Sequence, residues 1–365
     1  MSGKKPERNE PMFVMNAWYV CAEPEEISDT PLARTICNEK IVFFRTEDDS
    51  VVAFEDRCCH RRMPLSKGNV IGDRLQCFYH GLEFDKSGEC VHVPGQSTIP
   101  PGATVRTYPV ANKYNWIWIW MGDPALANED DIPAYPWKTM DDWGDKGTYF
   151  YVKCDYRLII DNLLDLSHLA FVHGSTIGNA AVAEAAKIKT LRSENTATTA
   201  RWTVGKEPPP TYQKMVGWPE GTLVDRWQII EYSKPGAVRL FTGAAPGAAK
   251  GEDFGFTDID LPVPENGFAF HNLNFVTPET ETTTHYFWSN AYHIPGQPIT
   301  EEMTEMQYNQ IFTAFHQDWE VFNKQQENWD DRPVIDTIQD ASAIAARKLI
   351  DKWVAEEQGE AIAAE

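Results

Sequence analysis

The stretch CCHRRMPLSKGNVIGDRLQCFYH contains two short pairs of metal-binding side chains, Cys58-x-His60 and, sixteen residues later, Cys77-x-x-His80. Two thiolates and two imidazoles delivered as pairs on two loops can hold a [2Fe–2S] cluster with both Cys on one iron and both His on the other, the Rieske arrangement. Neutral imidazoles in place of two thiolates make the cluster less negative and raise its potential, which suits it to passing electrons onward. The same residues could bind zinc as Cys2His2, but zinc-finger ligands pair Cys with Cys and His with His. Here each pair is mixed. Cys59, between two of the ligands, is read as loop-filling, because using it would break the mixed-pair geometry. Reading all four as core cysteines and surface histidines leaves the metal-type spacing of both pairs without a reason.

A second set lies in LIIDNLLDLSHLAFVH, residues 158–173, which reads as a helix carrying Asn162, Asp165, His168 and His173. Asp165 and His168 are three apart and share a face. His168 and His173 are five apart, about 140° around a regular helix. Joint ligation of one metal therefore requires the helix to end, widen or unwind, and an irregularity is expected between Leu169 and His173. Polar groups are seldom buried without a partner, which favours a metal over isolated core histidines. A third ligand is expected from a long helix over 301–328, where Tyr308, Ile311, Phe312, Phe315, Trp319 and Phe322 form an apolar stripe that includes Asp318 and leaves out Glu320. A carboxylate facing a core is costly unless it is paired or coordinates a cation. Two His and one carboxylate make the facial triad of non-haem Fe(II) oxygenases, with positions left open for O2 and substrate. The alternative is an ion pair from Asp318 to an arginine such as Arg157 or Arg226.

The elements that must position these groups change character along the chain. Residues 13–124 alternate short β-rich runs (NAWYVCA, KIVFFR, VVAFED, RLQCFYHGLEFD, GECVHVP, NWIWIWMGD) with turn formers, the pattern of a small all-β domain. Each ligand pair follows a strand-like run and so falls in a loop. Pro64 and Gly81 beside the ligands favour tight, fixed backbone. After Asp123-Pro124 and an acidic, proline-bearing stretch, residues 125–345 read as a second domain: a strand YFYVKCDY, the ligand helix, and strands RWQIIEY, VRLFTG, FAFHNLNFVTP and THYFWSNAYHI of a central antiparallel sheet. The long helix starts at Thr300 as N-cap, with acidic residues in its first turn. The expected fold is thus α+β, with a tail over 1–12 and a helical or frayed tail over 346–365.

Composition narrows the function. The chain has 365 residues, room for two domains, and 42% hydrophobic content. A formal charge of −21 argues against nucleic acid or an anionic membrane as partner, though an anionic small molecule needs only local positive charge. Seven cysteines, an odd number, do not describe a disulfide framework. No run of eighteen apolar residues and no hydrophobic leader occurs, so a cytoplasmic location is expected. The chain carries no G-x-G-x-x-G after a strand, so the dinucleotide is expected to be used by another protein.

With both sites in view, the chain resembles the Rieske non-haem iron oxygenases, specifically terminal oxygenase components of the vanillate demethylase and toluenesulfonate methyl-monooxygenase type. The resemblance runs from Asn16-Ala17-Trp18-Tyr19 to about Asp340 and rests on CCHRR with CFYHG, CDYRLIIDNLLDLSHLAFVH, VDRWQI, TPETETTTHYFW and the PGQ-x-x-IPP segment at Pro94–Pro101. It implies Cys58, His60, Cys77 and His80 as cluster ligands, and His168, His173 and Asp318 as ligands of a mononuclear iron. It also implies that Asp165 bridges to a cluster His on the next subunit of a head-to-tail homotrimer, with Asn162 near the iron. Cys59, where proline is frequent in the family, and Arg62-Met63 depart from the pattern. The activity implied is hydroxylation of a methyl group on an aromatic substrate with O2 and with electrons from a separate NAD(P)H-dependent flavin and iron–sulfur reductase. O-demethylation of a methoxybenzoate-like compound, releasing formaldehyde, is expected, with methyl hydroxylation or N-dealkylation as alternatives. Asn274, His271 and Asn309 are the expected groups for a substrate carboxylate, sulfonate or hydroxyl. Two other classes compete: a Rieske electron carrier with an appended binding domain, and a zinc-stabilised binding protein.

Overall fold

The structure, a computed structural model, describes residues 12–173, 186–208, 210–249, 255, 257–260, 262–330 and 332–359. The expected N-terminal tail, Met12 apart, and residues 360–365 of the expected C-terminal tail lie outside the described residues. The chain forms two units, one of residues 15–132 with 277–280, the other of 1–14, 133–276 and 281–365.

The first unit is all β among its longer elements: β1 (Trp18–Ala22), β2 (Leu32–Ile36), β3 (Glu39–Arg45), β4 (Val51–Glu55), β5 (Asn69–Ile71), β6 (Arg74–Gln76), β7 (Glu83–Phe84), β8 (Cys90–His92), β9 (Thr107–Tyr108), β10 (Val110–Lys113) and β11 (Trp116–Trp120). They make three small sheets, ordered β1-β11-β10, β2-β3-β4-β9 and β5-β6-β7-β8. Alternation in β3 and β4 sends Val42, Phe44, Val52 and Phe54 into a core shared with Leu65, Leu75 and Phe84. Cys58 and Cys77 belong to that same core. The last residues of the long strand β17 (below) join this unit, with Thr277 Oγ1 donating to the Val20 carbonyl at 2.7 Å.

The second unit is a seven-stranded antiparallel sheet of β12 (Gly144–Val152), β13 (Lys187–Arg192), β14 (Thr196–Lys206), β15 (Val224–Ser233), β16 (Ala237–Ala245), β17 (Phe268–Thr280) and β18 (Thr283–His293), ordered β12-β18-β17-β16-β15-β14-β13. Among the described residues the α-helices are α1 (Tyr156–Leu164), α2 (Leu169–Val172), α3 (Pro210–Val216), α4 (Glu301–Glu327) and α5 (Ala341–Glu357). One sheet face buries Trp202, Trp227, Ile229, Phe241 and Ala269. The other receives the helices: Phe315 of α4 packs on Trp288 (ring centroids 5.0 Å), Trp353 of α5 on Tyr232 (6.1 Å), and Thr199 Oγ1 donates to the Leu164 carbonyl at the end of α1 (3.0 Å). The α+β architecture expected above is the one observed.

One difference from the sequence reading matters. The sequence marks no strand over 187–206, yet β13 and β14 lie there; TATTARWTVGK lacks a clean apolar alternation because Thr198 on one face and Thr199, Arg201 and Thr203 on the other are all buried. Of the two states expected for the end of the chain, the helical one is observed through 357. Helix α5 buries Ala346, Ile350 and Trp353, and the Arg347 Nε lies 3.0 and 3.1 Å from the two carboxylate oxygens of Asp161 on α1.

Candidate metal centres

The two loops that carry the Cys/His pairs are built alike. Cys58 N–H donates to Met63 O at 2.8 Å and Cys77 N–H to Leu82 O at 2.7 Å; the returning bonds, Arg62 N–H to Cys58 O and Gly81 N–H to Cys77 O, are both 3.0 Å. The fourth residue after each Cys turns left-handed, Arg62 at φ +60° and Gly81 at φ +73°. At Gly81 there is a second demand, because a Cβ would meet Pro94 Cγ at 2.9 Å. Each loop thus folds its Cys inward and its His outward. Cys58 and Cys77 are buried, whereas His60 and His80 are exposed with ring centroids 4.6 Å apart. Burial pushes the Cys58 thiol up to about 12, and the neighbouring Cys77 sulfur pushes the same way. Two buried sulfurs beneath two neighbouring imidazoles at a solvent-facing rim are a donor set that fits a [2Fe–2S] cluster. Cys59 is exposed.

The second set converges in the other unit. His173 Nε2 lies 3.1 Å and His168 Nε2 3.6 Å from Asp318 Oδ1, and donor atoms of all three lie within 4.8 Å of one another. Asp318 is only 5% exposed. Donors about 2.1 Å from a first-row metal and at right angles sit about 3.0 Å apart, so the spacing suits one ion. The outer ring nitrogens sharpen the case. His168 Nδ1 is 2.7 Å from the Asp165 carbonyl and His173 Nδ1 2.7 Å from Gln317 Oε1. Both partners accept only, so both Nδ1 atoms donate, and Nε2 is the nitrogen that each ring turns toward the Asp318 carboxylate. Three electron-pair donors facing one another repel unless a cation or a shared proton sits among them. Burial depresses the His168 imidazolium; it acts likewise on His173, where hydrogen bonding and charge from Asp318, with Gln317, outweigh it and leave the net shift upward.

The backbone is irregular on both sides of residues 169–172: at Asp165, ahead of both imidazoles, and at His173, the end of the expected interval. Helix α1 breaks at Asp165 (φ −115°, ψ 102°), and a 3-10 turn over Leu166–His168 follows. Residues 169–172 are one ordinary helical turn, closed by His173 N–H to Leu169 O at 3.1 Å. His173 itself leaves helical geometry at φ −109°, which swings its Cβ about 45° from the helical direction. Asp165 acts through two of its groups. Its carbonyl, not its carboxylate, holds His168, while the carboxylate caps the 3-10 turn by accepting Ser167 N–H and Oγ–H, both at 2.8 Å. Asn162 Nδ2 donates to Asp318 Oδ1 at 3.4 Å. Neither arginine weighed for Asp318 takes it: Arg157 is clamped on Asp155 (Nε to Oδ1 3.0 Å), and Arg226 lies over Tyr212.

The three expected substrate contacts are not brought together. Asn274 is fully buried and spent on the sheet: its amide donates to Val238 O and Asn272 O, both 3.1 Å, and its Oδ1 accepts from Tyr286 Oη at 2.8 Å. His271 projects from the opposite face of the same strand, sandwiched between Trp137 (3.6 Å) and Phe241 (4.6 Å), where burial, then Arg239, hold it well below the ordinary imidazole range. Asn309 is exposed, nine residues and so about 180° around α4 from Asp318. Sequence reasoning missed Gln317, which orients His173; it sits next to Asp318 but outside the apolar stripe, and nothing in its type marks it.

Comparison with known proteins agrees with this arrangement of two unlike sites. Residues 17–109 match the Rieske [2Fe-2S] domain, and residues 152–356 match the vanillate O-demethylase oxygenase C-terminal domain. The chain belongs to the Rieske oxygenase components of the vanillate O-demethylase family. This oxygenase component is 39% identical to the toluene-4-sulfonate monooxygenase system iron-sulfur subunit TsaM1 of Comamonas testosteroni, over 95% of this chain and 99% of that one. It is 37% identical to the vanillate O-demethylase oxygenase subunit of Pseudomonas sp. strain HR199, over 97% and 98%. Among solved structures, dicamba monooxygenase bound to 3,6-dichlorosalicylic acid superposes with a TM-score of 0.84 at 31% identity, over 95% of this chain and 99% of that one. The protein is therefore a Rieske-type monooxygenase component and not a bare electron carrier or zinc protein. Among the described residues, no helix is long and apolar enough to cross a membrane.

Proposed function

We propose that this oxygenase component removes the methyl group of a methoxybenzoate-like compound as formaldehyde, with electrons supplied by a separate NAD(P)H-dependent flavin and iron–sulfur reductase. The observation that carries the reading is the meeting of two Nε2 atoms with Asp318 Oδ1 while both Nδ1 atoms are occupied. In this reading Cys58, His60, Cys77 and His80 hold the [2Fe–2S] cluster, and His168, His173 and Asp318 hold one mononuclear Fe(II). When bound, the cluster supplies single electrons and the iron supplies the O2 activation that oxidises a C–H bond.

The residues of the chain orient, seal and connect. The Asp165 carbonyl and Gln317 fix the two imidazole planes, and Asn162 steadies Asp318. Trp288 and Tyr286 pack their rings against Phe315, three residues before Asp318, so the sheet side of this part of α4 is aromatic. The overall balance takes an aryl methyl ether, O2, two electrons and two protons to the hemiacetal and water; the hemiacetal C–O bond then breaks, giving phenol and formaldehyde. Asp165 is partly exposed and its carboxylate retains lone pairs beyond those used by Ser167. That supports a role in meeting a cluster imidazole of a second copy in a head-to-tail homotrimer, whose ring closes on itself. We assign the protein to the cytoplasm.

The test uses purified holoenzyme, a generic NADH-dependent reductase and a panel of methoxybenzoates, methylated sulfonates and N-alkyl amides. Formaldehyde in equal amount with a phenol is expected from a methoxybenzoate, together with roughly three irons per chain. Two irons per chain and no formaldehyde from any member would refute the reading.

A further inference from the structure

Arg226 lies on the sheet face that supports the His168 segment. Thr199 of that face holds the Leu164 carbonyl, and Arg226 stands opposite Thr203, four residues along β14 from Thr199, so strand alternation puts them on one side. The same side presents Gln228, in register with Thr242, itself in register with Phe270. Helix α3 covers it with Tyr212, whose hydroxyl is 3.4 Å from Thr242 Oγ1 and whose ring lies 5.0 Å from that of Phe268.

Arg226 is 8% exposed, with its guanidinium 5.2 Å over the Tyr212 ring and its Nε and Nη1 bonded to no acceptor among the described residues. Among the described residues no carboxylate pairs with it. Its neighbour Asp225 points to the other face, where it accepts Gly205 N–H at 2.8 Å and Ala249 N–H at 3.0 Å. On the same face Arg201, in register with Gln228, is of like sign and acts electrostatically with Arg226, while Asp165 acts on Arg201. A buried guanidinium without an acceptor is strongly unfavourable, and its planar fork fits two oxygens of one oxyanion. The chain as a whole is acidic at −21, so an anion must be recognised by a local charge of this kind.

We propose that Arg226 takes the acid group of the substrate, a carboxylate or sulfonate on the aromatic ring, and so confines this enzyme to aromatic acid anions. The inference rests on the proposed function only for the reaction that follows binding. Its test is calorimetric titration of the anaerobic holoenzyme with 4-methoxybenzoate, 4-methoxybenzenesulfonate and neutral 4-methoxybenzamide. The wild-type protein binds at least one acid at least about 30-fold tighter than the amide. R226M weakens that acid by about 100-fold and the amide by less than about threefold, and R226K, charged but without the fork, falls between. Which acid binds tighter decides between carboxylate and sulfonate. A wild-type protein that does not prefer either acid to the amide overturns the assignment, as does an R226M or R226K protein with an undiminished preference. Should R226M not fold, R226K and the wild-type ratio still decide. Acid-selective binding lost in R226M but without formaldehyde from any substrate sinks the demethylation and upholds Arg226; formaldehyde formation with undiminished acid preference in R226M does the reverse.

Discussion

Cys58, His60, Cys77 and His80 come from two loops within residues 58–80 that repeat one hydrogen-bond pattern, whereas His168, His173 and Asp318 are gathered from a broken helix and a second helix well over a hundred residues later. The first set keeps its sulfurs in the core and its imidazoles at the surface; in the second, His173 and Asp318 are buried. A locally built site can present its ligands toward solvent because its backbone bonds hold the loops. A site assembled across helices has to be held by packing, and the carboxylate it buries is tolerable only with a cation or proton beside it.

Breaking each site separately gives the largest effects. Asp318→Ala is expected to leave the visible absorbance of the cluster intact while turnover falls to background, and residual turnover near wild type would remove Asp318 from the reaction centre. Cys77→Ser should do the converse, bleaching the cluster while ferrous iron still binds at the triad in titration. Next comes the support of the triad. Gln317→Leu leaves His173 Nδ1 without its acceptor and is expected to weaken Fe(II) binding by about 10- to 100-fold, read by iron titration of the apoprotein. The smallest effects test the likeness of the two loops. Gly81→Ala places a Cβ against Pro94 at φ +73° and should lower the unfolding free energy of the Rieske unit by about 1–3 kcal/mol, read by denaturant unfolding followed at the cluster absorbance. Arg62→Gly at the matching position should be neutral or stabilising by up to about 1 kcal/mol. If the two changes had effects of the same sign and size, the loops would not be equivalent in the way their hydrogen bonds indicate.

The difference in construction also explains how much could be read beforehand. The mixed Cys/His pairs are legible because both the ligands and the backbone that bends them lie in one short stretch, with Gly81 marking the left-handed position. Asp318 is legible because a helix period exposes a charged residue inside an apolar stripe. The place of the helix break is not, because Asp165 ends α1 through its own capping bond to Ser167, a local event that helical periodicity does not register. Asn274 shows the converse: a buried Asn on a strand has the chemistry of a substrate contact, and only the tertiary partners reveal that its amide donates to Val238 and Asn272 and its Oδ1 accepts from Tyr286.

Residue types and spacing alone determined which side chains are competent to bind metal, the all-β character of the N-terminal unit, and the amphipathic face that turns Asp318 inward, since each follows from chemistry or periodicity along a few turns of chain. The choice of which polar groups stay unspent was made by the tertiary structure. Whether Arg226 has an acceptor, whether Asn274 is free and which nitrogen of His173 faces Asp318 depend on what distant strands and helices place within hydrogen-bond reach, and hydrogen bonds are too short in range for sequence periodicity to report them.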